Sequence, residues 1–156
     1  MNVLLGIGNR LLGDDGVGNY IASRFRQPGW TVYDCGTVPE NFTSPVRKAH
    51  PEILLLVDAA EMGLPAGEFR VVPPDRIADV SIGTHSLPLT HLIDYLSPDA
   101  GRILFVGIQP AFMEMGQDLS PAVRNGAERF MELVRKGSLS EIPGYTGDPT
   151  QGSEPA

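Results

Sequence analysis

The uninterrupted aliphatic run Ile53-Leu54-Leu55-Leu56-Val57 limits the architecture more than any other stretch of this chain. Strand side chains alternate between faces, so a strand that is apolar at every position must be covered on both sides. That is the condition of a central strand in a parallel sheet with helices packed above and below. Val3 to Ile7 forms a second apolar run and ends in Gly8-Asn9, as a buried strand meeting a turn does. Residues 31–34, 67–72 and 102–106 supply three more strands, the middle one placed at an edge because Pro73-Pro74 stops it. Helical spacing fills the gaps. Val17, Tyr20, Ile21 and Phe25 follow Asp14-Asp15-Gly16, and further helices are predicted over residues 43–49, 89–96 and 121–135. In the last of these, Val123, Ala127, Phe130, Met131 and Val134 share one side. Strands alternating with helices imply an α/β sandwich built on a mainly parallel central sheet of about five strands.

The chain has 156 residues, which suits one core and one domain, placed at residues 1–136. From Gly137 onward the periodicity stops, and Gly, Pro, Ser, Thr and acids dominate, so residues 137–156 are expected to be a disordered tail. There are 12 basic and 19 acidic residues, a net charge of −7, with no cationic cluster to track phosphates, so a nucleic-acid partner is not expected. No apolar run approaches the roughly 18 residues of a membrane span. The start, Met1 to Gly6, lacks a basic leader and a small-residue cleavage site and reads as a first strand. A single cysteine, Cys35, excludes an intramolecular disulfide and a thiolate-cluster metal site. Together these features predict a cytoplasmic protein. A monomer is expected, because no long exposed apolar segment stands out.

In open α/β sheets ligands bind beyond the carboxyl ends of the strands. Those ends carry Gly8-Asn9, Asp34, Asp58 and Gly107-Ile108-Gln109-Pro110, and the Thr84-His85-Ser86 loop can reach the same rim. Taken singly, each polar residue has an ordinary explanation. Asp14, Asp15 and Asp58 are competent helix caps or turn formers, and a loop histidine is commonly a local hydrogen-bonder. Two adjacent acids, however, exceed what one cap needs. Asp15, Asp58 and His85 together offer two carboxylates and one imidazole, a mixed set suited to zinc, nickel, manganese or iron. Three other classes stay open at this point. Gly6-x-Gly8 is half of a dinucleotide fingerprint, with Asp34 near the ribose position, but Leu11 stands at the third glycine and Asp14-Asp15 would repel a pyrophosphate. Cys35 with His85 could form a thiolate–imidazole pair, although adjacent Asp34 raises the thiol pKa. A non-catalytic scaffold or chaperone would use the acidic surface.

The opening block Gly6-Ile7-Gly8-Asn9-Arg10-Leu11-Leu12-Gly13-Asp14-Asp15-Gly16-Val17-Gly18 resembles the signature of the hydrogenase maturation proteases. The likeness continues through Asp34-Cys35-Gly36-Thr37, Leu56-Val57-Asp58-Ala59, Thr84-His85-Ser86-Leu87 and Val106-Gly107-Ile108-Gln109-Pro110, reaching about Arg135. Val38-Pro39-Glu40-Asn41 and Gly107-Ile108-Gln109-Pro110 are similar to the branch serving formate-hydrogenlyase-type and related energy-converting hydrogenases. Cys35 departs from the pattern, which has glycine there, so it is not expected to be catalytic. The resemblance implies a three-layer α/β/α fold and an endopeptidase. Its substrate would be the [NiFe]-hydrogenase large-subunit precursor, from which it removes the C-terminal extension after nickel insertion. It also implies that Asp15, Asp58 and His85 are both the metal ligands and the catalytic residues. The nickel would be carried by the precursor and used as the recognition element, and another divalent ion can substitute. A non-catalytic nickel-site checkpoint is the alternative. Asp14 is expected to hold the turn or support Asp15. Gly6, Gly8, Gly16 and Gly18 should permit close backbone approach, and Asn9, Asn41 and Gln109 are placed to offer amide contacts to a peptide.

Overall fold

The computed structural model describes residues 1–82 and 88–147. Along them run β1 (Asn2–Ile7), α1 (Val17–Arg24), β2 (Trp30–Gly36), α2 (Thr43–Ala49), β3 (Ile53–Glu61), β4 (Phe69–Val71), β5 (Ser81–Ile82), α3 (Leu89–Leu96), β6 (Arg102–Ile108) and α4 (Pro121–Arg135). Five strands lie side by side in the order β2-β1-β3-β6-β4. All neighbours are parallel except β4, which runs antiparallel to β6 at the edge. The two-residue β5, too short to carry a period, adds to the end of β3 in antiparallel sense and was not legible in the sequence.

β3 bears out the opening argument residue by residue. Leu54 and Leu56 join the core shared with Val46 of α2 and Leu89, Leu92 and Leu96 of α3. Leu55, Val57 and Ala59 join the core shared with Val17 and Ile21 of α1 and Ala127 and Phe130 of α4. The sheet is therefore the middle of three layers. Each fully buried leucine contributes roughly 1.5–3 kcal/mol, so β3 ties both cores to one strand.

The chain turns tightly where α1 meets the sheet. A Cβ at Gly18 would lie 2.2 Å from the Ile7 carbonyl oxygen and 2.8 Å from that of Val57, while one at Gly6 would lie 2.2 Å from the Gly18 oxygen. Only glycine at both places lets the first turn of α1 rest directly on β1 and β3. That contact fixes the Asp14-Asp15 turn at the carboxyl ends of these strands. The same two strands form the topological switch point. β2 lies on one side of β1 and β3 on the other, and α1 leaves β1 toward one face while Met62 and Leu64, following β3, pack on the other. A crevice opens where consecutive connections diverge in this way.

The expected disordered tail needs correction as far as residue 147. Leu139 and Ile142 are buried in the α1–α4 core, around a 3-10 turn over Leu139–Glu141. Val71 N–H donates to the Pro143 oxygen at 3.0 Å, and Tyr145 N–H donates to the Val71 oxygen at 2.8 Å. β4 would otherwise expose a bare sheet edge, and the segment covers it. Its apolar residues are too sparse to show a period, which is why composition alone misread it. Residues 148–156 lie outside the described part. Among the described residues no helix is long and apolar enough to cross a membrane.

Candidate active site at the carboxyl ends of β1 and β3

The two acids of the opening block have separate jobs. Both sit in a 3-10 turn over Gly13–Gly16, and both are buried. Asp14 points at the loop between β6 and α4. Its Oδ2 accepts from Ala111 N–H at 2.8 Å, Phe112 N–H at 3.3 Å and the Ser120 hydroxyl at 2.9 Å, and its Oδ1 accepts from Ser120 N–H at 2.7 Å. Ser120 is itself the N-cap of α4, its hydroxyl oxygen accepting from Val123 N–H at 3.3 Å. Asp14 is thus a saturated anion that ties the loop to the turn, with no oxygen left for a ligand. Of the two roles expected for it, holding the turn is the one its hydrogen bonds describe.

Asp15 is the opposite case. Its Oδ2 accepts from Asn9 N–H at 3.0 Å, whereas its Oδ1 is buried and has no hydrogen-bond partner among the described residues. A carboxylate oxygen taken out of water without a donor is costly, by roughly 1–3 kcal/mol or more for a charged group. Such an orphan marks a place that something else completes. A divalent cation with oxygen and nitrogen affinity fits that position.

Asp58 is fully buried near the end of β3, opposite Gly107 of β6 in the parallel register. Strand alternation puts its side chain on the α2–α3 face, in the series Leu54, Leu56, Ala60. One oxygen accepts from the neighbouring Ala59 N–H at 2.7 Å. Gly6 pairs with Val57 across β1 and β3, so Asp58 stands level with the exit of β1 that leads to Asp15. His85 lies outside the described residues, between β5 and α3. Among the described residues no set of three metal-ligating side chains comes together.

An open cleft of about 730 Å³ adjoins the turn beyond β1 and β2, bordered by Asn9, Leu11, Asp34, Gly36, Val38 and Asn41. Asp34 does not await a ribose. It accepts from the Arg10 guanidinium, from Asn19 Nδ2 at 2.7 Å and from Gly36 N–H at 3.2 Å. Cys35 is buried, and burial together with the nearby Asp34 and Glu40 carboxylates pushes its thiol up to about 12, far from nucleophilic use. Gln109 is a correction. Its Oε1 accepts from Met62 N–H at 2.7 Å and Leu64 N–H at 3.2 Å, and its Nε2 donates to Glu61 Oε2 at 2.6 Å and the Pro110 oxygen at 3.1 Å. The amide is consumed in bracing the chain after β3 and is not offered to a peptide. The sequence reading missed Ser120 altogether. Ser-Pro before an amphipathic run signals a helix cap, but nothing in the spacing links it to Asp14, 106 positions away.

A family model described as "HycI: Hydrogenase maturation protease" matches residues 16–136. The chain belongs to the hydrogenase maturation protease family. It is 39% identical over 149 residues to the hydrogenase 3 maturation protease of Escherichia coli K12, covering 90% of this chain and 96% of that one. Its fold resembles the solution structure of the endopeptidase HycI from E. coli, with a TM-score of 0.85 at 33% identity over 95% of this chain and 98% of the other. It also resembles the crystal structure of the HycI [NiFe] hydrogenase maturation protease of Thermococcus kodakarensis KOD1, with a TM-score of 0.76 at 29% identity over 88% and 91% of the two chains. The hydrogenase maturation protease match begins one residue after Asp15 and takes in Asp58 and His85.

Proposed function

We propose that this chain is the endopeptidase that removes the C-terminal extension of a [NiFe]-hydrogenase large-subunit precursor. It does so after nickel insertion, and it reads the precursor's nickel through Asp15, Asp58 and His85. The observation that carries the reading is the orphaned Asp15 Oδ1, an anionic oxygen held dry at the switch point between β1 and β3. The names of the relatives supply the reaction class, and the acids at the crevice supply hard and borderline ligands for a divalent ion presented from outside. Another divalent ion would occupy the same set.

The chain's own residues then do three things. Asn9 N–H and the turn fix Asp15, so its free oxygen faces a set position rather than searching for one. Asp58 and His85 complete the set, so a precursor lacking nickel forfeits the differential binding that productive docking needs. The cleft beside Asn9 and Asn41 receives the extended peptide on one side of the metal-bearing segment. The metal, when presented, polarises a carbonyl or activates water. The likeness of Val38-Pro39-Glu40-Asn41 and Gly107-Ile108-Gln109-Pro110 to one branch of the family supports a formate-hydrogenlyase-type precursor as the substrate.

The test is intact-mass spectrometry of the cognate precursor after incubation with this protein, with and without nickel inserted. Loss of a C-terminal peptide from the nickel-loaded form alone is expected. A verified nickel-loaded precursor that stays intact but binds tightly would replace this reading with the non-catalytic checkpoint.

A further inference from the structure

Seven large apolar side chains are exposed among the described residues, and four of them flank the turn that holds Asp14: Leu11 at 60%, Phe112 at 39%, Met113 at 40% and Met115 at 70%. They come from two stretches stitched side by side. Gly116 N–H donates to the Leu11 oxygen at 2.9 Å, Asp14 N–H donates to the Phe112 oxygen at 3.1 Å, and a Cβ on Gly13 would sit 3.4 Å from the Phe112 ring. We propose that this Leu11/Phe112/Met113/Met115 surface is where the folded body of the precursor docks, an inference that rests on the proteolytic reading above.

Three features favour that occupant. First, the loop is held rigid at a cost. Asp14 commits a buried carboxylate to both of its ends, through Ala111 and Phe112 on one side and Ser120 on the other. A loop with only a surface to decorate needs no such brace, whereas a binding loop gains affinity from being set in place beforehand. Second, the surface is continuous with the site. The residue after Asp14 is Asp15, so a body seated on the loop is positioned relative to the oxygen that awaits a ligand. Third, the chemistry suits an encounter with a folded partner. Methionine adapts to a partner's contour, and grouped exposed apolar side chains beside a site mark an interaction surface. The peptide in the adjoining cleft adds the remaining contact. Glu114 and Asp118 are exposed on the same loop, so the partner face should be apolar with basic groups beside it.

The experiment compares wild type, Met113→Glu/Met115→Glu, and the rescue variant Met115→Leu on nickel-loaded precursor, reading KM and kcat separately. Expected is a tenfold or larger rise in KM for the double variant with kcat within about twofold, the pattern of lost uniform binding. Met115→Leu should match wild type. Should the double variant show a lowered thermal midpoint, Met115→Ser alone carries the test, since a side chain this exposed supports no core. Unchanged KM in a folded variant overturns the proposal while leaving the protease reading standing. So does sedimentation showing a wild-type dimer that the double variant dissociates, since the surface would then be a self-interface. If wild type leaves the nickel-loaded precursor intact, the protease reading fails first and this proposal with it.

Discussion

Asp14→Ala should destabilise the protein by about 3–4 kcal/mol, and the figure follows from what the carboxylate holds. Three of its four bonds are 2.9 Å or shorter, and two of those go to Ser120, which is buried. Removing the acceptor leaves the Ser120 N–H and hydroxyl dry, at roughly 1–3 kcal/mol each for a buried unsatisfied group. Ala111 and Phe112 lie nearer the surface, where water can replace the lost oxygen, so they add little. Against this, deleting a buried charge recovers its desolvation, which trims the total. Asp14→Asn keeps one carbonyl oxygen but turns an amide N–H₂ toward the other donors, and should lose about 2 kcal/mol by the same reasoning. Urea denaturation with a common slope gives the free energies directly. A scan should show the midpoint of Asp14→Ala lowered by roughly 6–16 °C, at about 2–4 °C per kcal/mol for a domain of this size. Amide exchange at Ser120 and Ala111 should accelerate together. A loss below about 1 kcal/mol in Asp14→Ala would refute the reasoning, because bonds to a buried charge ordinarily exceed that.

Asp15→Asn should invert the pattern. With no donor among the described residues facing Oδ1, removal of its charge leaves stability within about 1 kcal/mol of wild type or raises it, while precursor cleavage falls to below roughly a hundredth. Cleavage near the wild-type rate in a folded Asp15→Asn would sink its role, and the same assay judges Asp58→Ala and His85→Ala, each expected to abolish processing. Cys35→Ala should retain full cleavage, and in wild type iodoacetamide at pH 8 should label Cys35 only on unfolding, since a thiol near 12 is about one part in ten thousand thiolate there. The same raised pKa has a stability consequence. The folded state keeps the proton that the unfolded chain releases, so this contribution is intact below the ordinary value of 9.0 and is lost as pH rises toward about 12. Over that window wild type should lose about 1.4 kcal/mol per pH unit more than Cys35→Ala, and parallel pH profiles would contradict it. Gly18→Ala should cost at least roughly 1–3 kcal/mol, since its Cβ would overlap the Ile7 oxygen and lift α1 from the sheet. Wild-type stability there would show that the contact yields freely.

The sequence by itself determined the layers and the neighbourhood of the site. A five-residue aliphatic run can be satisfied only with both faces covered, and the two helical periods at residues 89–96 and 121–135 return as α3 and α4 with the same bounds. Asp15 and Asp58 stand out as candidates because strand ends in a parallel sheet are where polar residues after apolar runs must emerge. What local pattern could not carry was partnership across distance. Adjacent Asp14 and Asp15 look alike in sequence, and only the fold, by bringing Ser120 and the Ala111-Phe112 amides to one of them, made a structural clamp of Asp14 and left Asp15 with an oxygen to give. Gln109 looked available at a strand end until Met62 and Leu64 arrived to occupy it. The chain beyond Gly137 read as disordered because its few apolar residues have no period, yet the bare edge of β4 offered them hydrogen bonds and a surface. Burial and periodicity are set by near neighbours in sequence. The assignment of each donor to an acceptor is set by which elements the topology makes adjacent, and that is decided only when the chain has folded.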